Sequence, residues 1–289
     1  MNKLAHMGKD PEEASGNPYS DLYIYYLKGR IKPITPTFGS GFIGNWQENE
    51  YSFLFFSKPS SVEVAGILNS NPELTLFEEF HMTYDQWQGS KTEPFDVGRF
   101  HIVPPWQRNK KKKIRGHEAI TVLLDPGVVF GNGLHTTTRD CIKALEIVFS
   151  RDQIKSAVDF GTGTGILALA ASLLGCGRIL AIDLNFLAVS TALRNIRLNG
   201  LGNRILAAQG RAEDFIDAAS DLVIANIHYE VMKDLIGSRI FYNKKWFVLS
   251  GLLRSQARAV KTDLIRNGIT IINSWECDGI WHTLLGKKD

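Results

Sequence analysis

The sequence predicts a doubly wound α/β fold preceded by a smaller α+β unit. Three observations predict it: five apolar runs alternate with helix-length segments over the second half, a glycine-rich turn follows the first of those runs, and two further runs meet at Asp278-Gly279. Near-continuous apolar strands separated by helices are what a parallel sheet buried on both faces requires. Asp-Gly between strand-like runs signals a hairpin, so the sheet is expected to end in an antiparallel pair.

Residues 1–20 are polar, with two Pro and two Gly, and read as a partly ordered lead-in. DLYIYYL, Asp21 to Leu27, reads as a strand. The interval 31–50 carries Pro33, Pro36, Gly39, Gly41 and Gly44 and is expected to be loop, because both residue types oppose helical backbone. YSFLFFS, Tyr51 to Ser57, is a second strand; a short helix follows from Ser61 to about Leu68, then a strand from Leu74 to Tyr84. That content defines a small α+β unit over 1–98, with the turn-rich Gln88 to Gly98 as the hinge leading out.

Residues 99–118 read as a linker. Within it RNKKKKIRG, Arg108 to Gly116, lies between FHIVPPW (Phe100 to Trp106) and AITVLLD (Ala119 to Asp125). Its four lysines read as the solvated tip of a hairpin, with a patch steering an acidic protein or RNA as the alternative. The larger unit spans 119–289: a helix from Thr137 to Phe149 capped by its Thr-rich start, then strands ending at Phe160, Asp183, Ala208, Asn226 and Gly251. Helices fit at about Gly163 to Leu174, Phe186 to Leu198, Tyr229 to Ile236 and Leu253 to Ile265. Thr270 to Asp278 and Gly279 to Lys287 form the closing hairpin.

A chain of 289 residues with 44% hydrophobic and 22% charged side chains belongs among water-soluble folds. Its net charge of +3, from 33 basic and 30 acidic residues, is too balanced to argue for nucleic acid, and direct DNA binding is not expected. Cys141, Cys176 and Cys277 lack metal-ligand spacing, so no metal site is expected and reduced thiols in a cytoplasmic protein are the reading. The start lacks the apolar run of a signal peptide, and no window approaches the roughly 18 apolar residues that span a bilayer.

The sharpest motif is VDFGTGTGILALAA, Val158 to Ala171: Asp159 at a strand end, Gly161, Gly163 and Gly165 in a turn, then an apolar helix. Glycines permit the tight turn and a close approach of backbone to ligand, and a helix start offers unpaired N–H groups. Asp183 closes the next strand 22 residues beyond Gly161, where a carboxylate can accept both hydroxyl protons of a ribose. An adenosine-containing cofactor follows. Gly163, Gly165 and Ala168 also fit the relaxed dinucleotide pattern, so the glycines alone leave NAD open. Asp159, the unit's late position and the terminal hairpin favour S-adenosylmethionine over NAD or FAD; a tight turn without ligand is the remaining reading.

DPGVVFGNGLHTTT (Asp125 to Thr138), VDFGTGTG, AIDLN, ANI (Ala225 to Ile227) and LSG (Leu249 to Gly251) together resemble the ribosomal protein L11 methyltransferase (PrmA) family. The resemblance runs from about Phe100 to the end, roughly two thirds of the chain. It implies a seven-stranded Rossmann-like class I methyltransferase sheet with S-adenosylmethionine as cofactor. It implies that Phe130 to Thr138, including Gly131, line the cofactor site, with Thr138 near the methionine portion. Gly161 and Gly163 would contact the cofactor, Asp183 would hold the ribose, and Asn226 would orient an incoming amine beside the transferred methyl. His135 is a less direct addition, as loop organiser, packed structural histidine or proton acceptor.

Asp214, in GRAEDF, is a candidate for the adenine edge, with helix-start capping as the equal alternative. His228, Tyr229 and Glu230 follow Asn226 as candidates for the acceptor pocket, though Tyr229 can equally pack over the sheet. Trp106 and Trp281 are candidates for a cleft wall, with core packing the commoner fate of Trp. Family members carry a small ferredoxin-like substrate-recognition domain, whose first helix would fall in the Pro- and Gly-rich 31–50. Two further departures are Gly131-Asn132-Gly133 where the family has G-T-G, and HYE after Asn226. The implied activity is protein N-methylation, with ribosomal protein L11 as first acceptor; lysines of another protein or a small amine are alternatives. A non-catalytic adenosine- or RNA-associated binding protein is the reading from a different class.

Overall fold

The computed structural model describes residues 17–31, 38–108, 113–114 and 117–288. Strands β1 (Asp21–Lys28), β2 (Phe42–Glu48) and β3 (Tyr51–Phe56), helix α1 (Ser61–Ser70) and strand β4 (Thr75–Thr83) come first. The strands form an antiparallel sheet in the order β2-β3-β1-β4, that of a ferredoxin-like sheet. The interval 31–50 is therefore not all loop. Residues 32–37 lie outside the described residues, but Phe42–Glu48 is a strand because its backbone groups pair with β3. Its glycine is used: a Cβ on Gly44 would strike the Leu187 side chain, so the bare backbone lets β2 approach the larger unit.

Helix α2 (Tyr84–Gln88) then leads into the expected hinge, and strand β5 (Phe95–Val97) lies at its far end. Thr83 opens α2 with a capping box, its hydroxyl accepting from the Gln86 amide at 3.2 Å. Strands β6 (Phe100–Val103), β7 (Lys113–Ile114), β8 (His117–Glu118) and β9 (Ile120–Leu123) follow. The expected hairpin between the Phe100 and Ala119 runs is a correction: β6 and β9 pair parallel, and β6 also pairs with β5. Between β6 and β9 the described residues hold an antiparallel pairing of β7 with β8, where Lys113 pairs with Glu118 and lies in a strand rather than at a tip. Lys110 to Lys112 lie outside the described residues. Phe100 and Ile102, in the stretch read as linker, are buried in the main core.

The remaining elements are α3 (Thr136–Arg151), β10 (Ser156–Phe160), α4 (Ile166–Leu173), β11 (Arg178–Asp183), α5 (Phe186–Leu198), β12 (Ile205–Gln209), β13 (Leu222–Asn226), α6 (Tyr229–Ile236), β14 (Trp246–Leu253), α7 (Arg254–Arg266), β15 (Ile269–Cys277) and β16 (Trp281–Lys288). They build one mixed sheet in the order β12-β11-β10-β13-β14-β16-β15. Strands β10 to β14 are parallel, and β16 runs antiparallel to both neighbours. This is the class I methyltransferase-like α/β arrangement.

Alternate side chains of the strands feed two cores. Leu222 and Ile224 face α3 and α4, whereas Val223 and Ala225 face α6 and α7. Helix α4 is apolar all round because Ile166 through Ser172 are all buried. It begins three residues later than the sequence suggests, since Gly163 and Gly165 have φ of 56° and 85° and cannot belong to a right-handed helix. At the far end Asp278 and Gly279 both have positive φ, 54° and 67°, as the Asp-Gly signal requires. The first sheet, through Leu22, Ile24 and Phe55, and helix α2, through Tyr84, pack on Val128, Val129, Leu187 and Ala188 of the larger unit.

Candidate functional site

Strands β10, β11 and β13 end side by side, which gathers Asp159, Asp183 and Asn226 at the carboxyl edge of the sheet. Sheets of this kind bind ligands outside that edge, where the strand order reverses. Here the order reverses between β10 and β13. The turn Gly161 to Gly165 crosses this point, anchored by the Thr162 amide on the Ile182 carbonyl at 2.9 Å.

Its glycines have a reason within the protein as well as any ligand could give them. A Cβ on Gly163 would lie 2.5 Å from the Phe130 carbonyl oxygen, and one on Gly161 would strike the Ile227 side chain. The turn is thus pressed between the Phe130 segment and the end of β13. Asp183 locks it from below: Oδ2 accepts from the Gly163 amide at 3.0 Å and Oδ1 from the Asn185 amide at 2.9 Å. Each carboxylate oxygen retains a lone pair for a further donor, such as a ribose hydroxyl.

Burial raises the Asp183 carboxyl above its usual range, opposed by the amides of Asn185, Gly163 and Leu184. Asp159 is more extreme. Burial, with the nearby charge of Asp183 adding to it, pushes its carboxyl up to about 7, against the Thr162 hydroxyl bond and the Ala168 amide. Thr162 Oγ1 donates to Asp159 Oδ2 at 2.6 Å, while Oδ1 is buried and, among the described residues, has no partner at hydrogen-bonding geometry. Thr138 Oγ1, in the first turn of α3, is another buried oxygen without a partner among the described residues. Buried unpaired polar atoms are uncommon in native folds and mark places that a ligand or water satisfies. Two of them, with a carboxylate that keeps free lone pairs, make this edge fit a polar adenosine-bearing cofactor.

The segment from Asp125 to Thr138 is held against the turn. Asn195 of α5 is fully buried; its Oδ1 accepts from the Asp125 amide at 2.8 Å, and its Nδ2 donates to the Asp125 carbonyl at 2.9 Å and the Thr164 carbonyl at 2.8 Å. Thr164 Oγ1 donates to the Gly131 carbonyl at 2.6 Å. Gly131 accordingly sits with φ of 101° beside Thr164, and Phe130 is 55% exposed at the mouth.

The cap of α3 differs from expectation. His135, not a threonine, is the N-cap residue, and its Nδ1 accepts from the Thr137 amide. The ring makes T-shaped contacts with Phe130 and Trp281, at 5.5 and 5.6 Å between centroids, which places Trp281 beside His135. Asn226 Nδ2 donates to Thr137 Oγ1 at 3.2 Å, tying the end of β13 to the start of α3. His228 and Glu230 are exposed, whereas Tyr229 packs against the core under α6 and α7, which is the structural alternative for that residue. Asp214 is exposed in a short 3-10 turn, Ala212–Phe215, with no side-chain cap bond at its start. Trp106 packs edge-on to Tyr19 between the first sheet and the larger unit. Reading from sequence missed Thr137, Thr164 and Asn195; for Asn195 the available signal was an amide on the buried stripe of an amphipathic helix.

Fold and site edge together define a class I methyltransferase-like protein. Residues 68–289 match the family model described as ribosomal protein L11 methyltransferase (PrmA), and the chain belongs to that family. It is 34% identical over 192 residues to the ribosomal protein L11 methyltransferases of Anoxybacillus flavithermus and of Bacillus pumilus, covering 66% of this chain and 60% of each relative. The chain thus spans about 60% of the length of these curated relatives. Among solved structures, the ribosomal protein L11 methylase of Lactobacillus delbrueckii subsp. bulgaricus superposes with a TM-score of 0.58 at 26% identity, over 68% of this chain and 100% of that one.

Proposed function

We propose that this chain is an S-adenosylmethionine-dependent protein N-methyltransferase whose acceptor is an amino group of ribosomal protein L11. The observation that carries the reading is the edge itself, where Asp183, the glycine turn, the unpaired Thr138 hydroxyl and Asn226 converge. Bound there, S-adenosylmethionine supplies a methyl group activated by its sulfonium, so the protein's task is alignment and desolvation. Asp183 would accept the ribose hydroxyls, Gly161 and Gly163 would line the backbone path beside it, and Thr138 with Asp159 would face the amino-acid end. Phe130, Gly131 and Gly165 shape the walls, and Asp214 is the candidate for the adenine edge.

An ammonium has no free lone pair and must lose a proton before it can attack. Asn226 Oδ1 can accept an N–H bond from the resulting amine and aim its lone pair, but an amide is a poor base, which leaves water to take the proton. His228 at the exposed start of α6 and Trp281 at the site are the candidates to contact the acceptor.

Methyl-labelled S-adenosylmethionine, incubated with the protein and either recombinant L11 or whole-cell extract with and without nuclease, tests this. Label in L11 is the expected result. Label on lysines of another protein, or on a small amine, keeps the reaction and replaces the acceptor. Label in nuclease-sensitive material overturns the substrate class, and cofactor binding without any label supports a non-catalytic adenosine-binding role.

A further inference from the structure

An asparagine beside a reacting amine is useful only if its carbonyl end faces the amine, and an amide flips between its two ends at little steric cost. The arrangement behind Asn226 removes that freedom. We infer that Thr137 and the imidazole of His135 are positioning residues that orient the Asn226 amide, holding its Nδ2 inward and leaving Oδ1 to the acceptor. The inference deepens the methyltransferase reading and rests on it.

One donor of fixed identity sets the direction of the whole chain of bonds. The Thr137 backbone N–H can only donate, and it lies 3.4 Å from His135 Nδ1 in the N-cap arrangement, which favours the ring form with Nδ1 unprotonated. Thr137 Oγ1 lies 2.7 Å from the same Nδ1 and, in that ring form, gives its single proton to it. With that proton committed, Oγ1 can only accept from Asn226, at 3.2 Å, and what it accepts is Nδ2–H. Oδ1 is left as the end without a hydrogen-bond partner among the described residues. It has space because Gly251 lacks a side chain; a Cβ there would lie 3.3 Å from Oδ1 and 2.7 Å from the Ile227 carbonyl oxygen.

The surroundings favour the neutral ring that this requires. The segment bearing Phe130 and the strand bearing Trp281 set their rings at 60° and 72° to that of His135, and burial alone lowers its pKa, with no charged side chain contributing. Protonation would place a hydrogen on Nδ1 and turn the Thr137 hydroxyl toward Asn226, which could then meet it only with Oδ1.

The test uses nitrogen-15 NMR of the full chain, wild type, Thr137→Val and Thr137→Ser, together with methyl transfer to recombinant L11. In the wild type at neutral pH the His135 ring is expected as the Nε2–H tautomer. The Asn226 side-chain amide signal should move with the His135 titration, lose that coupling in Thr137→Val, and keep it in Thr137→Ser. Transfer to L11 should show kcat lowered about tenfold in Thr137→Val, with KM for L11 within about twofold and recovery in Thr137→Ser. A ring found as the Nδ1–H tautomer, or an Asn226 signal indifferent to His135 in the wild type, overturns the inference. The wild-type spectra decide this even if Thr137→Val does not fold or L11 is not methylated, so the inference and the methyltransferase reading fail separately.

Discussion

Asp159 carries a cost that its neighbours only partly offset. Its carboxyl titrates at about 7 in the folded protein instead of 3.8, chiefly through burial. In acid both folded and unfolded forms are protonated and no penalty exists. Between about pH 4 and pH 7 the unfolded chain ionises while the folded one holds its proton, so stability falls with rising pH by a few kcal/mol at most. Asp159→Asn should flatten this limb: its thermal midpoint should change less than the wild type's between pH 4 and pH 7, and an equal slope would show that another group is responsible. At Asp183 burial also raises the carboxyl, but the amides of Asn185 and Gly163 oppose that shift and favour the ionised form, the one that accepts from hydroxyl donors. Asp183→Ala should weaken S-adenosylmethionine binding by about 1 to 3 kcal/mol, read by calorimetry; unchanged affinity would remove Asp183 from the ribose.

Helix α5 does for the site what no single loop could. Asn195 fastens the segment after β9 to the glycine turn through three bonds, and Asn199 repeats the clasp one turn later on the Leu123 amide and carbonyl, at 2.9 and 2.7 Å. Asn195→Ala would leave three buried backbone groups unpaired, at about 1 kcal/mol each, and should shift the urea midpoint by about 3 kcal/mol in unfolding free energy. The same comparison explains what could be read beforehand. The parallel strands and α5 and α6 were legible because each is a run long enough to show its period, and Asp183 stood out by its spacing from the turn. Strand β2 was not legible: it lies at a sheet edge, and FIGNWQE shows neither alternation nor a breaker-free core. Helix α2 and β5, of five and three residues, are shorter than any period. Thr137 escaped because its meaning lies in Asn226, 89 residues away, a pairing that exists only after the sheet has formed.

Across the whole molecule, the first sheet is fastened to the larger unit by a buried polar knot as well as by apolar contact. Arg194 Nη1 reaches Asp125 Oδ2 at 2.8 Å and the Tyr19 hydroxyl at 3.1 Å, and that hydroxyl donates to Asp125. Burial, then the Asp125 charge, raises the Tyr19 pKa and keeps the phenol a donor. Arg194→Ala would strand the Asp125 carboxylate in the interface. Because the guanidinium is itself partly exposed, the expected loss is about 2 kcal/mol, less than for a fully buried pair. Limited proteolysis should then cut more readily within residues 88–98, and an unaltered pattern would mean that the apolar contacts suffice.

Strand β16 follows β15 in the chain yet lies inside the sheet, between β14 and β15, with its Thr283 hydroxyl 2.5 Å from that of Ser250. A growing polypeptide therefore exposes the open flank of β14 until synthesis has passed residue 288, and only then can β15 find a place. A stop codon at Ile280 would strip out an interior plank rather than trim a margin, and the shortened product should collect in the insoluble fraction.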